Sequence, residues 1–136
     1  MKNIKNSYKK GPITIHELNT DNEIKIINSY KKNEFVISKK IYYGPQILFP
    51  RKIKKWNDNS IEKIDTKKLI SLFKNNLPQV LIIGFGKNSS FNFTKIKKEF
   101  VEKSINIEIM STPAACRTWN VLVSEGRNVA ALLFHI

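Results

Sequence analysis

The residues best placed to do chemistry fall in one stretch near the carboxyl end, Thr112 to Arg127. Cys116 sits in the opening turns of a helix started by Thr112-Pro113, where the helix dipole favours a thiolate. A nucleophilic thiol also needs a base, and the two histidines, His16 and His135, are distant in sequence. Ala114 and Ala115 beside it suit close packing of helix on sheet, so a buried structural thiol is the favoured reading. Arg117 and Arg127 are two of only three arginines in a chain with 21 lysines. An arginine kept in such a background points to a need for its planar fork. Arg117 could hold an anionic group, or it could pair with Glu125, with Arg127 close to the helix end. Asn120 is mid-helix, where Asn is a mediocre helix former, so its amide is expected to bond a neighbouring loop. Ser111, Thr112 and Ser124 lack an evident base, and the carboxylates show no paired spacing.

A second motif is Gly84-Phe85-Gly86-Lys87-Asn88-Ser89-Ser90, between a strand and a helix. Open α/β sheets bind ligands at the carboxyl ends of strands, and helix amino termini attract anions. The run lacks both a complete G-x-G-x-x-G and a G-K-[ST] ending, so a plain tight turn is the competing and favoured reading. Both segments follow strands and are expected to meet at one sheet edge. The candidate ligand or partner site is therefore Gly84, Phe85, Gly86, Thr112, Cys116, Arg117, Asn120, Glu125 and Arg127. No catalytic set, metal site or cofactor motif stands out, because one Cys and two His do not make a metal centre.

Composition sets the frame. The 136 residues carry 24 Lys+Arg against 11 Asp+Glu, a net charge of +13. Lys, Ile and Asn together make up 56 residues. All three have A/T-rich codons, so a biased genome would give this charge without any polyanionic partner. The preference for Lys over Arg further disfavours nucleic acid. Tyr30, Tyr42, Tyr43, Phe49 and Trp56 lie among lysines and could form a base-stacking platform, but filling a sheet's inner face is the simpler use. A single Cys excludes a disulfide framework and fits a reducing compartment. The apolar runs are too short to cross a membrane and no targeting segment is evident, so a cytoplasmic protein is expected.

These residues need elements to position them. Residues 1–11 read as a flexible basic N-terminus and 12–136 as a single domain. From Pro12 to Trp56, short alternating runs read as a β-meander. They are Ile13/Ile15, Ile24 to Asn28, Phe35 to Ile37, Ile41 to Tyr43 and Gln46 to Phe49. Asn33, Ser38-Lys39-Lys40 and Gly44-Pro45 supply the turns. The second half reads β-α-β-α-β. A helix capped by Asp65 or Thr66 runs to about Asn75. A strand follows at Val80 to Ile83, with Gly84-Phe85-Gly86 as its turn. Next come a helix over Asn92 to Lys103, a strand over Ile105 to Ile109, and the helix Ala114 to Glu125 capped by Thr112 and ended by Gly126. Val129 to His135, apolar almost throughout, is expected to be a central strand.

The stretch Ile109-Met110-Ser111-Thr112-Pro113-Ala114-Ala115-Cys116-Arg117-Thr118-Trp119-Asn120 through Glu125-Gly126-Arg127 resembles the signature of a small domain-of-unknown-function family. That family includes the mitochondrial respiratory complex I assembly factor 3 and an adipogenesis-associated human relative. Ile27-Asn28-Ser29-Tyr30, Phe49-Pro50, Trp56 and the Val80-to-Gly86 segment are similar to its upstream features. The sequence departs at Ser111, where Asp is frequent, at Trp119, where Tyr is usual, and at Pro113, where Gly is common. The resemblance implies a three-layer α/β fold with a mixed central sheet. It implies no established catalysis, and a protein-binding role in assembling a membrane-associated complex. A protein partner is therefore expected, peripheral membrane contact is allowed, and a small-ligand or anion-binding α/β domain of unknown enzymatic activity is the alternative.

Overall fold

The computed structural model describes residues 23–136. The expected flexible N-terminus and the Ile13/Ile15 run lie outside the described residues. The described residues form eight strands: β1 Ile27–Lys31, β2 Glu34–Ile37, β3 Lys40–Tyr43, β4 Gln46–Phe49, β5 Lys52–Lys55, β6 Val80–Phe85, β7 Asn106–Met110 and β8 Val129–Phe134. The α-helices are α1 Thr66–Ser71, α2 Thr94–Val101 and α3 Thr112–Ser124, with a short 3-10 turn at Ile61–Lys63.

A five-stranded sheet, ordered β5-β4-β8-β6-β7, forms the middle layer. β6 runs parallel to both β7 and β8, and β4 runs antiparallel to β5 and β8. The sheet is thus mixed, as the resemblance implied, and β8 is its central strand. All six β8 residues are buried because each of its faces is covered. Ala130, Leu132 and Phe134 pack with Leu69, Phe73, Ile96 and Phe100 of α1, α2 and the turn after α1. Val129, Ala131 and Leu133 face the opposite core, which holds Ala115, Cys116, Trp119 and Val123 of α3 together with Ile27, Phe35 and Ile37. Three layers follow: α1 and α2, the main sheet, then α3 with the small antiparallel sheet β1-β2-β3.

The expected meander divides between two sheets. Of its strands among the described residues, β1, β2 and β3 pair in succession as a separate sheet. β4 instead extends the main sheet through β8, because Ile47 and Leu48 are both buried, one in each core. β5, absent from the expected strands, completes that hairpin. The turns lie where expected: Asn33, Ser38, Lys39 and Gly44 all have positive φ. Adjacent positive φ values at Ser38 and Lys39 suit a hairpin loop that follows strand twist.

Other boundaries shift for local reasons. β1 begins at Ile27 rather than Ile24, with an irregularity between Ile27 and Ser29. α1 is capped by Asp65, which accepts from the Lys68 N–H, but it stops at Ser71, four residues early. The chain then passes through a left-handed residue, Lys74, at φ 52°. α2 starts at Thr94, where the Asn92 side chain accepts the backbone N–H at 2.9 Å.

Candidate functional site

The helix carrying the signature begins with a cap one residue earlier than expected. Ser111 is the N-cap, and its Oγ accepts from Ala114 N at 3.4 Å. Thr112 occupies the first turn, and its hydroxyl points inward. Oγ1 accepts from Gly86 N at 2.8 Å and donates to Phe134 O at 2.6 Å. The Thr112 N–H returns to Gly86 O at 2.8 Å. One fully buried threonine therefore ties the ends of β6 and β8 to the start of α3.

Gly84 and Phe85 continue β6, so the turn starts only at Gly86, which has φ 91°. Gly84 allows α3 to approach the sheet. A Cβ there would lie 3.0 Å from Ala115 Cβ and Thr112 Oγ1, and 3.1 Å from Leu133 Cδ2. The glycine motif and the start of α3 do meet, and side chains fill the space between them at Gly84. Phe85 points to the other side and stacks on Phe93 at 6.0 Å, with Phe91 edge-on to Phe93 at 5.0 Å.

Cys116 is 3% exposed and packs beside Ala115 and Trp119. Burial pushes its thiol up to about 12, and the neighbouring Arg117 charge pulls only partly the other way. Desolvation thus outweighs the pull toward a thiolate expected at a helix start. Arg117 points to solvent, and among the described residues no carboxylate pairs with it. Glu125 is salt-bridged instead to Arg127, at 3.9 Å, with both side chains about half exposed.

Trp119 and Asn120 are used for construction. The fully buried Trp119 donates from Nε1 to Lys25 O at 2.7 Å. Asn120 Oδ1 accepts from Ile27 N at 2.8 Å, and Nδ2 donates to Ile27 O at 2.9 Å. The bond expected to a neighbouring loop goes instead to a strand residue, twice over, and it holds the start of β1 onto α3.

The nine candidate positions form separate groups. Gly84, Gly86 and Thr112 form one contact, with Cys116 buried one turn further along α3. Asn120 reaches the small sheet. Glu125 and Arg127 lie past the far end of a 13-residue helix, about 20 Å from Thr112 by helical rise. Near that end Arg127 and Arg51 line a shallow groove of about 250 Å³ with Pro50 and Gly126. The rarity of arginine singled out Arg127, and the same signal applies to Arg51. A larger groove of about 410 Å³ lies elsewhere, between β5 and the end of α1. Two of its three lysines are visible in the sequence as the alternating Lys52-Ile53-Lys54 run, and Lys74 joins them only through the fold. Among the described residues no group of three or more His, Cys, Asp or Glu could hold a metal ion, and no helix is long and apolar enough to cross a membrane.

The chain is 37% identical over 129 residues to the NADH dehydrogenase [ubiquinone] 1 alpha subcomplex assembly factor 3 of Drosophila melanogaster, covering 91% of this chain and 65% of that protein. The chain thus spans somewhat less than two-thirds of the length of such relatives. It is 26% identical over 106 residues to the 13 kDa major membrane protein of Francisella tularensis subsp. holarctica (strain LVS), covering 76% of this chain and 85% of that one. Among solved structures, an outer membrane protein from Bartonella henselae is 30% identical with a TM-score of 0.72, covering 84% of this chain and 97% of the other. A protein from Bordetella parapertussis shares the fold at 21% identity and a TM-score of 0.74, covering 84% and 98%. Residues 27–134 match the family described as protein of unknown function (DUF498/DUF598), which takes in every contact from the Ile27 clamp to the Phe134 carbonyl, and the chain belongs to that family.

Proposed function

We propose that this chain is a non-enzymatic protein-interaction domain that helps assemble a membrane-associated complex from the cytoplasmic side. Relatives named as complex I assembly factors support the reading. So does the inward use of the signature: Thr112, Trp119 and Asn120 spend their polar atoms on the fold, and Cys116 is buried and protonated.

The observation that carries the proposal is the outward face of the small sheet. Ile41 and Tyr43 are 54% and 57% exposed; on β2, Ile41 stands opposite Val36 and Tyr43 opposite Glu34, whose charge is met by Lys31 at 3.8 Å. Exposed Lys32 and Lys39 flank this apolar strip. A protein surface with an apolar centre and an acidic rim is its complement. The preference for Lys over Arg, whose planar fork reads phosphates and guanines, disfavours a nucleic-acid partner.

The test is affinity capture from the source cells with the wild-type chain and with an Ile41→Asp/Tyr43→Asp variant. Subunits or fellow assembly factors of one membrane complex should be enriched by the wild type and lost with the variant, at unchanged melting temperature. Equal capture by both chains, or turnover of a small substrate with no captured protein, would overturn the reading.

A further inference from the structure

The groove of about 410 Å³ between β5 and the end of α1 lies on the opposite side of the main sheet from the small sheet. Strand alternation aims Lys52 and Lys54 to the same side, roughly 6.6 Å apart along the strand. Their antiparallel partners fix which side: Lys52 faces Phe49 and Lys54 faces Ile47, and both partners pack into the α1–α2 core. Lys74 enters from the other wall, carried by the left-handed residue that ends the turn after α1. Phe49, Leu72 and Phe73 supply the apolar part of the lining, with Phe49 and Phe73 edge-to-face at 6.0 Å. Lys52 Nζ is held 4.7 Å from the Phe49 ring centroid.

Two features separate this groove from a merely lysine-rich surface. No acidic residue lines it, and among the described residues none of its three lysines has a carboxylate within salt-bridge distance. Three like charges sharing one concavity raise its positive potential, which concentrates anions. The aromatic and aliphatic lining also favours an organic body over a bare ion. The volume is that of a small-molecule site, not of a crevice for a lone water.

We propose that this groove binds a phosphate ester carried on an apolar body, the phosphate held by Lys52, Lys54 and Lys74 and the body resting on Phe49, Leu72 and Phe73. A phospholipid headgroup and a soluble organophosphate share that chemistry. The site goes beyond the docking strip of the small sheet, and because it lies on another layer either can fail without the other.

The experiment uses the full chain and two probes. One is phenyl phosphate, followed by amide chemical shifts. The other is phosphatidylcholine vesicles with and without an equal part of phosphatidylglycerol, followed by co-sedimentation. Phenyl phosphate should shift the amides of Lys52, Lys54 and Lys74 to Asn76, and the anionic vesicles should retain the protein. Binding to both, or to vesicles alone, assigns a lipid headgroup, and phenyl phosphate alone assigns a soluble ester. A Lys52→Gln/Lys54→Gln/Lys74→Gln variant should lose roughly tenfold in affinity. A Lys95→Gln/Lys97→Gln/Lys103→Gln control removes equal charge from the region of α2 and should lose less than about twofold. Equal losses in the two variants, shifts scattered over α2, no binding to either probe, or binding only to a single-stranded oligonucleotide would each overturn the proposal.

Discussion

Asn120 and Ile27 are joined by two hydrogen bonds, so a mid-helix amide takes both backbone groups of a strand residue 93 positions away. β1 is an edge strand with an irregularity just after Ile27, which leaves that residue short of ladder partners. The amide of Asn120 replaces the missing neighbour. Trp119 adds the third bond, to Lys25 O, so consecutive helix residues anchor consecutive parts of one incoming segment.

Replacing Asn120 by Ala should cost about 1–3 kcal/mol, the sum expected for two part-buried bonds. The loss is local to the small sheet. Amide exchange should accelerate in β1 to β3 more than in β6 to β8, read by hydrogen exchange alongside chemical denaturation. Uniform acceleration would show that the clamp is not specific to that layer.

Thr112→Val keeps the shape and removes the hydroxyl. It strands Gly86 N and Phe134 O in a fully buried site. A loss of about 2–4 kcal/mol is expected, because each orphaned group carries its own desolvation cost. Thr112→Ser restores the bonds, loses one methyl group and should fall only about 1 kcal/mol below the wild type. Equal losses for Val and Ser would assign the role of Thr112 to packing alone.

Gly84→Ala tests how closely α3 lies on β6. The added methyl meets Ala115, Thr112 and Leu133 at 3.0 to 3.1 Å, and two of those atoms belong to short, rigid side chains. Overpacking of this kind costs about 1–3 kcal/mol. A melting temperature unchanged or raised would mean that the helix yields.

Cys116 makes stability depend on pH in the alkaline range. Its thiol titrates at about 12 in the folded chain against an ordinary value of 9.0, chiefly because burial disfavours the thiolate. A raised value stabilises the fold fully below 9.0 and loses that contribution as the pH climbs towards 12. Relative to Cys116→Ala, the wild type should therefore lose stability across that window. At about pH 8 a disulfide reagent should react slowly with the native chain and rapidly once it is unfolded. Fast labelling of the native chain would reject the buried placement.

Much of the carboxyl half was legible because its periods are strong. Ile105, Ile107 and Ile109 alternate, Phe93, Ile96 and Phe100 recur at helical spacing, and Val129 to Phe134 is apolar on both faces, as a central strand must be. The fate of β4 was not legible. Gln46 to Phe49 carries the same short pattern as the meander strands, and only its pairing with β8, some 85 residues on, moves it to another sheet. The individual roles in α3 were half legible: a lone Asn in a helix signalled an outside partner, but not which one. Thr112 was read as a cap because its hydroxyl is chemically suited to one, yet the neighbouring Ser111 takes the cap and frees Thr112 for the interior. The basic groove was hidden because Lys74 joins Lys52 and Lys54 only through the fold.

The position of β8 also sets an order of events. β6 and β7 are separated by one helix and can pair early, and β4 and β5 can close as a hairpin on their own. Neither pair touches the other along the ladder until β8 lies between them. Its insertion closes a loop of some 80 residues to β4, a slow step governed by chain entropy. A chain in which β8 is undocked leaves one edge of β4 and one of β6 unpaired and open to any other chain.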